Sequence, residues 1–287
     1  MRRTLLAALV GAVLAPSVVG AQTECTVAKT SSEAKMMAWF AGPLAFALLG
    51  PVQRLPRGAI VLGGDLTYVP TPPSSVSQSS AACYTLKKSE NTGLSPVFPR
   101  PRLIVGLGGG VTLEAMYLPP VTVADATPNM GSVAVAWASP ISGGAGTLLF
   151  TTRVHATFGQ VQGPITCPKS ALQQTSFSLA CWGSTPSKDT YHPNVAGLEL
   201  GVATAASGPL QWYGGVGYAS VRPRFQVGFT LQDGNQDRTK LRVDLARASL
   251  YGGLGYALTK TVELTAQLYS VPEDATTGRA GLSWRLR

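Results

Sequence analysis

The sequence predicts an all-β fold: an up-and-down antiparallel transmembrane β-barrel of about ten strands, roughly eight to twelve being compatible, with a short N-terminal helical segment. Three observations carry that prediction. Apolar and polar residues alternate with a period of two from Gly58 to the C-terminus. Short joints alternate in order with long ones. Charged residues make up 13% of the chain, about half the usual share, while Gly is abundant and no apolar run is long enough for a spanning helix. That combination suits a barrel whose outer face is wetted by lipid.

Residues 1–21 read as an export signal. Arg2 and Arg3 open it, Leu5 to Ala15 form its apolar run, and Val19-Gly20-Ala21 offers the small residues of a cleavage site. Cys25 follows Gln22-Thr23-Glu24, which is not the small, apolar setting of a lipid-anchored cysteine. Residues 22–56 stand apart as a lead-in or plug-like helical segment, and residues 57–287 form the barrel domain. Ala38 to Gly50 is apolar, broken by Gly42-Pro43, and too short to span a bilayer. It is expected to pack as a helix against or inside the barrel, or to remain a periplasmic lead-in.

The clearest alternation runs from Tyr213 to Leu231. Tyr213, Gly215, Gly217, Ala219, Val221, Phe225, Val227 and Phe229 share one face, and Ser220, Arg222, Arg224 and Gln226 the other. The apolar face is expected to meet lipid. Val262, Leu264 and Leu268 alternate with Glu263, Thr265 and Gln267, and Leu282, Trp284 and Leu286 with Gly281, Ser283 and Arg285. Phe150, Val154 and Phe158 oppose Thr151, Arg153 and His155. Tyr213–Leu231 and Thr239–Ala257 exceed the length of a membrane strand and predict a tall hairpin with its tip at Asp233-Gly234-Asn235. A bulge is expected near Ala246–Ala248.

Short joints fall at Gly108–Gly110, Ser139–Gly146, Ala206–Pro209 and Leu258–Lys260. Long ones fall at Pro70–Pro99, Pro119–Met130, Gln162–Pro193, Gln232–Arg238 and Pro272–Thr277. Trp212, Tyr213, Tyr218, Tyr251, Tyr256, Tyr269 and Trp284 are candidates for interfacial girdles.

Formal charge is +9, with 23 Lys and Arg against 14 Asp and Glu. The cations are scattered and the chain is exported, which argues against a nucleic-acid partner. Lys87, Lys88, Lys169, Lys188, Arg238 and Lys240 lie near the outer ends, as solvated loop charge or as partners of lipid phosphate. Four cysteines in an exported chain favour disulfides. Cys167 and Cys181 bracket a Gln/Ser/Thr-rich stretch, leaving Cys25 with Cys83. Their spacing does not suit zinc and only His155 and His192 are present, so neither a metal nor another cofactor is expected.

The export signal, the alternating strands and the ending Gly281-Leu282-Ser283-Trp284-Arg285-Leu286-Arg287 resemble the outer-membrane β-barrel proteins of Gram-negative bacteria. The resemblance implies location in the outer membrane, contact with its lipid, and insertion by the barrel-assembly machinery. Members of that class usually end in an aromatic residue, whereas this chain ends in Leu286-Arg287.

Polar candidates for the lumen are Asp65, Glu114, Arg153, His155, Glu199, Arg222, Arg224, Glu263, Gln267 and Arg285. They suit either a lumen closed by ion pairs or a constricted pathway favouring anions. No catalytic residue is expected, because a lone inward His among polar neighbours is more often a structural hydrogen-bonder. The expectation is a porin-like narrow channel or transporter for small or lipid-like solutes. Its alternatives are a closed structural or surface-adhesive barrel, and a soluble secreted barrel with an apolar interior.

Overall fold

The computed structural model describes residues 24–73, 76, 83, 97–143, 146–205 and 208–286. The expected export signal, residues 1–21, and Lys87 and Lys88 lie outside them. In chain order the elements are β1 (Glu24–Thr26), α1 (Ser32–Leu44), β2 (Ile60–Tyr68), β3 (Val97–Gly108), β4 (Val111–Leu118), β5 (Thr127–Gly143), β6 (Gly146–Gly163) and β7 (Asp189–His192). They continue with β8 (Val195–Thr204), β9 (Leu210–Val221), β10 (Arg224–Gln226), β11 (Phe229–Thr230), β12 (Gln236–Asp237), β13 (Lys240–Arg242), β14 (Leu245–Ala257), β15 (Val262–Ser270) and β16 (Thr276–Arg285).

Ten of these close into an antiparallel ring: β2, β3, β4, β5, β6, β8, β9, β14, β15 and β16, with Gly281 of β16 opposite Asp65 of β2 at the seam. Closure leaves no strand edge for lipid to meet, which a spanning sheet requires. The joints alternate short and long, so the short-turn end is periplasmic and the long-loop end is outside.

The outer wall is apolar. Leu62, Leu113, Val135, Val154, Leu200, Val216, Leu254, Leu264 and Leu282 are all exposed on it. Trp137, Trp212, Tyr256 and Trp284 ring its periplasmic end, and Tyr68, Tyr117, Phe158 and Tyr218 its outer end. These are the two aromatic belts of a membrane-spanning barrel. A soluble barrel with a polar exterior is thereby excluded. No helix among the described residues is long and apolar enough to cross a membrane.

One face assignment inverts. On β9 it is Trp212, Val216 and Tyr218 that meet lipid, while Tyr213 and Val221 are buried inside. The apolar face continues past Pro223 into Phe225, Val227 and Phe229, which are buried under the outer cap. The outward face changes character with height: apolar where it crosses lipid, then Arg222 and Arg224 where it stands in water. Reading the whole run as one polar face hid that change. Tyr213, Tyr251 and Tyr269 likewise point inward rather than into a girdle. The expected bulge near Ala246–Ala248 is absent, because β9 and β14 pair without interruption from Leu245 to Tyr256. The irregularity falls instead between Gly106 and Gly108.

The long connections form a cap. Here β7, β10 and β13 extend the sheet above the ring, and β1 joins it in parallel beside β13. Disulfides Cys25–Cys83 and Cys167–Cys181 tie it together. Helix α1 starts at Ser31, whose hydroxyl accepts from the Ala34 N–H at 3.2 Å. It docks beneath the cap, where Tyr191 donates to the Met37 carbonyl (2.6 Å) and Trp39 to that of Pro70 (2.9 Å). Gly42-Pro43 closes the helix, since Pro breaks the hydrogen-bond ladder, and Ala45 is already extended.

The chain then descends through the ring. Residues 45–56 pass from the outer cap to the periplasmic end, where the Gly58 N–H donates to Gly106 at 2.8 Å. At Gly106 any side chain would run into Pro56 and Leu55, so the descending segment fits against β3 only because glycine stands there. The first described strand, β1, therefore stands at the outer end.

Candidate functional site: the barrel lumen

Inward positions of β2, β3, β4, β6 and β8 carry one continuous chain of alternating charges. Asp65 accepts from Arg100 Nε and Arg102 Nε, each at 2.7 Å. Arg102 continues to Glu114 at 3.4 Å. Arg153 grips Glu114 through Nε (3.1 Å) and Nη2 (3.0 Å) and reaches Glu199 through Nη1 at 2.7 Å. All six side chains are buried. Strand β5 lies between Glu114 and Arg153, and its inward residues are Ser132, Ala134 and Ala136. Their small size opens the gap that the guanidinium crosses.

The opposite wall is aromatic and amide-bearing. Tyr213 and Tyr251 lie 6.5 Å apart, ring centre to ring centre, beside Gln267, Tyr269 and Arg279. Tyr251 rests over Gly201 and Gly215, where a methyl group would collide with its hydroxyl. Arg279 stacks on Tyr269, with Cζ 4.1 Å from the ring centre.

Wall side chains meet the main chain of the descending segment at nearly every step. Arg100 donates to the Ala45 carbonyl (2.9 Å), Arg153 to Phe46 (2.7 Å), Arg102 to Ala47 (2.8 Å) and Gln267 to Leu48 (2.8 Å). The N–H of Phe46 donates to Thr157 (3.2 Å) and that of Leu48 to Glu199 (3.1 Å). The Phe46 ring fills the axis with Arg102 4.5 Å and Arg153 5.0 Å from its centre. Buried backbone groups must be paired, and here wall side chains do the pairing.

Below this level the lumen opens. A cavity of ≈ 480 Å³ at the periplasmic end is lined by residues including Gln53, Arg102, Glu114, Gln211, Glu263 and Arg285. Gln53 donates to Glu263 at 2.7 Å and accepts from Arg285. Toward the outer end, between α1 and the wall at Tyr269 and Val271, a void of only ≈ 10 Å³ is found.

Of the residues expected in the lumen, Asp65, Glu114, Arg153, His155, Glu199 and Gln267 are buried inside it, and Glu263 and Arg285 stand at its periplasmic mouth. Two do not belong. Arg222 and Arg224 lie above the ring on the solvent side of the cap, Arg222 against Ser220 and Arg224 paired with Asp244 at 2.7 Å. They share the face of Trp212 and Tyr218, so the rule that placed the polar face inward misplaces them. Arg100, Arg102 and Arg279 are the central lumen residues that sequence reasoning missed. Arg279 had a usable signal, since Thr277, Arg279 and Gly281 continue the inward face of β16. Outside the lumen, Asp189 organises the cap by accepting from Thr166, Ser187 and the Gly228 N–H.

No protein-family model matches the sequence, and no curated protein matches it. Several solved structures resemble the fold at low sequence identity. The translocator domain of the autotransporter NalP from Neisseria meningitidis is 11% identical, with 82% of this chain and 91% of that one covered and a TM-score of 0.39. The outer membrane protease OmpT from Escherichia coli is 11% identical, over 80% and 94%, with a TM-score of 0.36. Ail, the attachment invasion locus protein of Yersinia pestis, is 9% identical, over 80% and 99%, with a TM-score of 0.28. The closed ring, the lipid-facing wall and the two aromatic belts make this chain an outer-membrane β-barrel.

Proposed function

We propose that the barrel is a gated passage for small polar solutes, held shut by its own N-terminal segment, residues 42–56, acting as a plug. The observation that carries this reading is the chemistry of the plug's seat. Within the lumen the plug is held by hydrogen bonds from polar side chains and by ion-bearing neighbours, all of which water can replace. The covalent tie, Cys25–Cys83, lies outside at the cap. The segment can therefore shift against the wall without breaking a covalent bond. The ≈ 480 Å³ vestibule already brings periplasmic solvent to the level of Arg102 and Glu114. A polar lumen favours polar solutes over the lipid-like ones also expected.

A second reading, a closed structural barrel, is supported by the unbroken charge chain from Asp65 to Glu199. Conductance separates the two. Val271 Cβ lies 3.9 Å from where a Cβ at Gly42 would stand, close to the spacing of a disulfide at about 3.8 Å. Full-length protein in planar bilayers should show voltage-dependent conductance steps. The oxidised Gly42→Cys/Val271→Cys variant should lose them and regain them on reduction, with reduced wild-type protein as control. Silence of the wild type at every voltage, oxidised or reduced, leaves the closed barrel standing.

A further inference from the structure

We infer that the lumen selects small oxyanions, carboxylates or phosphates, and that Arg279 is its selectivity-determining residue; the inference rests on the gated passage proposed above. The mid-lumen carries Arg100, Arg102, Arg153 and Arg279 against Asp65, Glu114 and Glu199. The first three arginines are paired with the three acids. Arg279 is the remainder. It is 3% exposed, and none of its Nε, Nη1 and Nη2 atoms has a hydrogen-bond acceptor among the described residues. A buried cation without an acceptor is costly, and its planar fork matches a carboxylate or phosphate through two parallel bonds.

The plug strengthens the case. Donors of Arg100, Arg102 and Arg153 are satisfied by the carbonyl oxygens of Ala45, Ala47 and Phe46 while the plug is seated. When it shifts, each of those guanidiniums keeps its carboxylate partner but loses its carbonyl acceptor, and an oxyanion supplies the same kind of oxygen with charge added. The approach from the periplasm has the same sign: Arg54, Arg102, Lys260 and Arg285 line the vestibule, against Glu114 and Glu263. A row of cations from mouth to mid-lumen raises the local concentration of anions and repels cations.

The test is the reversal potential of full-length protein in a planar bilayer under a KCl gradient. Chloride should be preferred over potassium several-fold, and added phosphate or acetate should interrupt the chloride current. R279Q should lower the preference several-fold, R279E should reverse it, and R279K should keep it, with heat-modifiability on a gel checking that each variant folds. Conductance that prefers potassium, or is unaltered by R279Q and R279E, overturns the anion inference and leaves the passage intact. Absence of conductance overturns the passage instead, and anion recognition is then decided by thermal unfolding in detergent at constant ionic strength. A midpoint raised by phosphate or acetate in wild type but not in R279Q supports it; equal responses overturn it.

Discussion

Arg153 on β6 reaches across the whole of strand β5 to hold Glu114 on β4, with Nε–Oε1 at 3.1 Å and Nη2–Oε2 at 3.0 Å. Neighbouring strands ordinarily supply cross-strand pairs; here strands two apart do so. The pairing depends on what the intervening strand leaves out. Ala134 and Ala136 are buried on its inner face.

That dependence gives the first prediction. Ala136→Leu places a bulky side chain in the gap, where overpacking alone costs about 1–3 kcal/mol, and the displaced Arg153 leaves Glu114 and Glu199 short of their partner. Breaking a buried pair costs about 3–5 kcal/mol. Ala136→Ser should be close to neutral. Urea unfolding in lipid vesicles, followed by the gel shift between folded and unfolded forms, should rank wild type and Ser together and Leu well below.

Height along one strand decides what a substitution does on β9. Val216 faces lipid between the belts, whereas Arg222, six residues further on, stands in water. Val216→Arg should cost about 2–4 kcal/mol, the usual penalty for a cation at the lipid midplane. Arg222→Val should change stability little. All four native cysteines are paired, so single cysteines can be labelled cleanly. A polarity-sensitive probe should report hydrocarbon at Val216→Cys and water at Arg222→Cys.

The same strand shows how far the sequence could be read. Strand number and joint order were legible because turns and strand lengths leave local marks. The facing of β9 was not, since a period of two says that faces differ and not which one meets lipid. Glycine obscured it further: Gly215 and Gly217 are inward because Tyr251 and Ser249 need the room, and small residues look equally at home on either side. Arg100 and Arg102 were hidden by Pro99 and Pro101, which suggest a loop. In the ring those prolines are tolerated because β3 pairs with β4 only from Leu103 onward, so no ladder bond to β4 is asked of Pro99 or Pro101. The charge chain needed the ring itself, since its members span residues 65 to 199.

Threading through the lumen fixes the side of the membrane on which Glu24 stands. β1 lies in the cap beside β13, tied to the first long loop by Cys25–Cys83. A short epitope inserted before Glu24 should be stained by antibody on intact cells. Staining only after permeabilisation would contradict the threading. In C83S the stretch from Glu24 to Ser31 loses its tether, and external trypsin should cut at Lys29 faster than in wild type.

Asp274 gives the cap a pH dependence. Its side chain is almost wholly buried against Arg247, 2.7 Å away, and burial, with the neighbouring Glu273 carboxylate, raises its pKa against the lowering pull of Arg247. A carboxyl whose folded pKa lies above its unfolded value of about 3.9 binds more protons folded than unfolded. Its contribution is therefore most favourable at low pH and declines as pH rises from about 4 through the raised folded pKa. D274N removes that titration. Limited proteolysis of the cap should show wild type losing protection across this window relative to D274N; parallel profiles would refute the assignment.

Phe46 is where stability and gating meet. Its ring is fully buried on the lumen axis between the guanidiniums of Arg102 and Arg153. Phe46→Ala should cost about 3–5 kcal/mol through lost burial and the void left behind. Phe46→Leu keeps most of the bulk and forfeits chiefly the two cation–ring contacts, worth about 0.5–2 kcal/mol each. Vesicle unfolding should therefore place Leu between wild type and Ala. In a gated passage the order reverses in current: Ala should open most often, Leu less, wild type least, because the contact that Ala removes exists only with the segment seated. A closed structural barrel predicts the same stability order with no current in any of the three. Measuring both quantities on the same preparations tells a plug that must move from one that only has to stay.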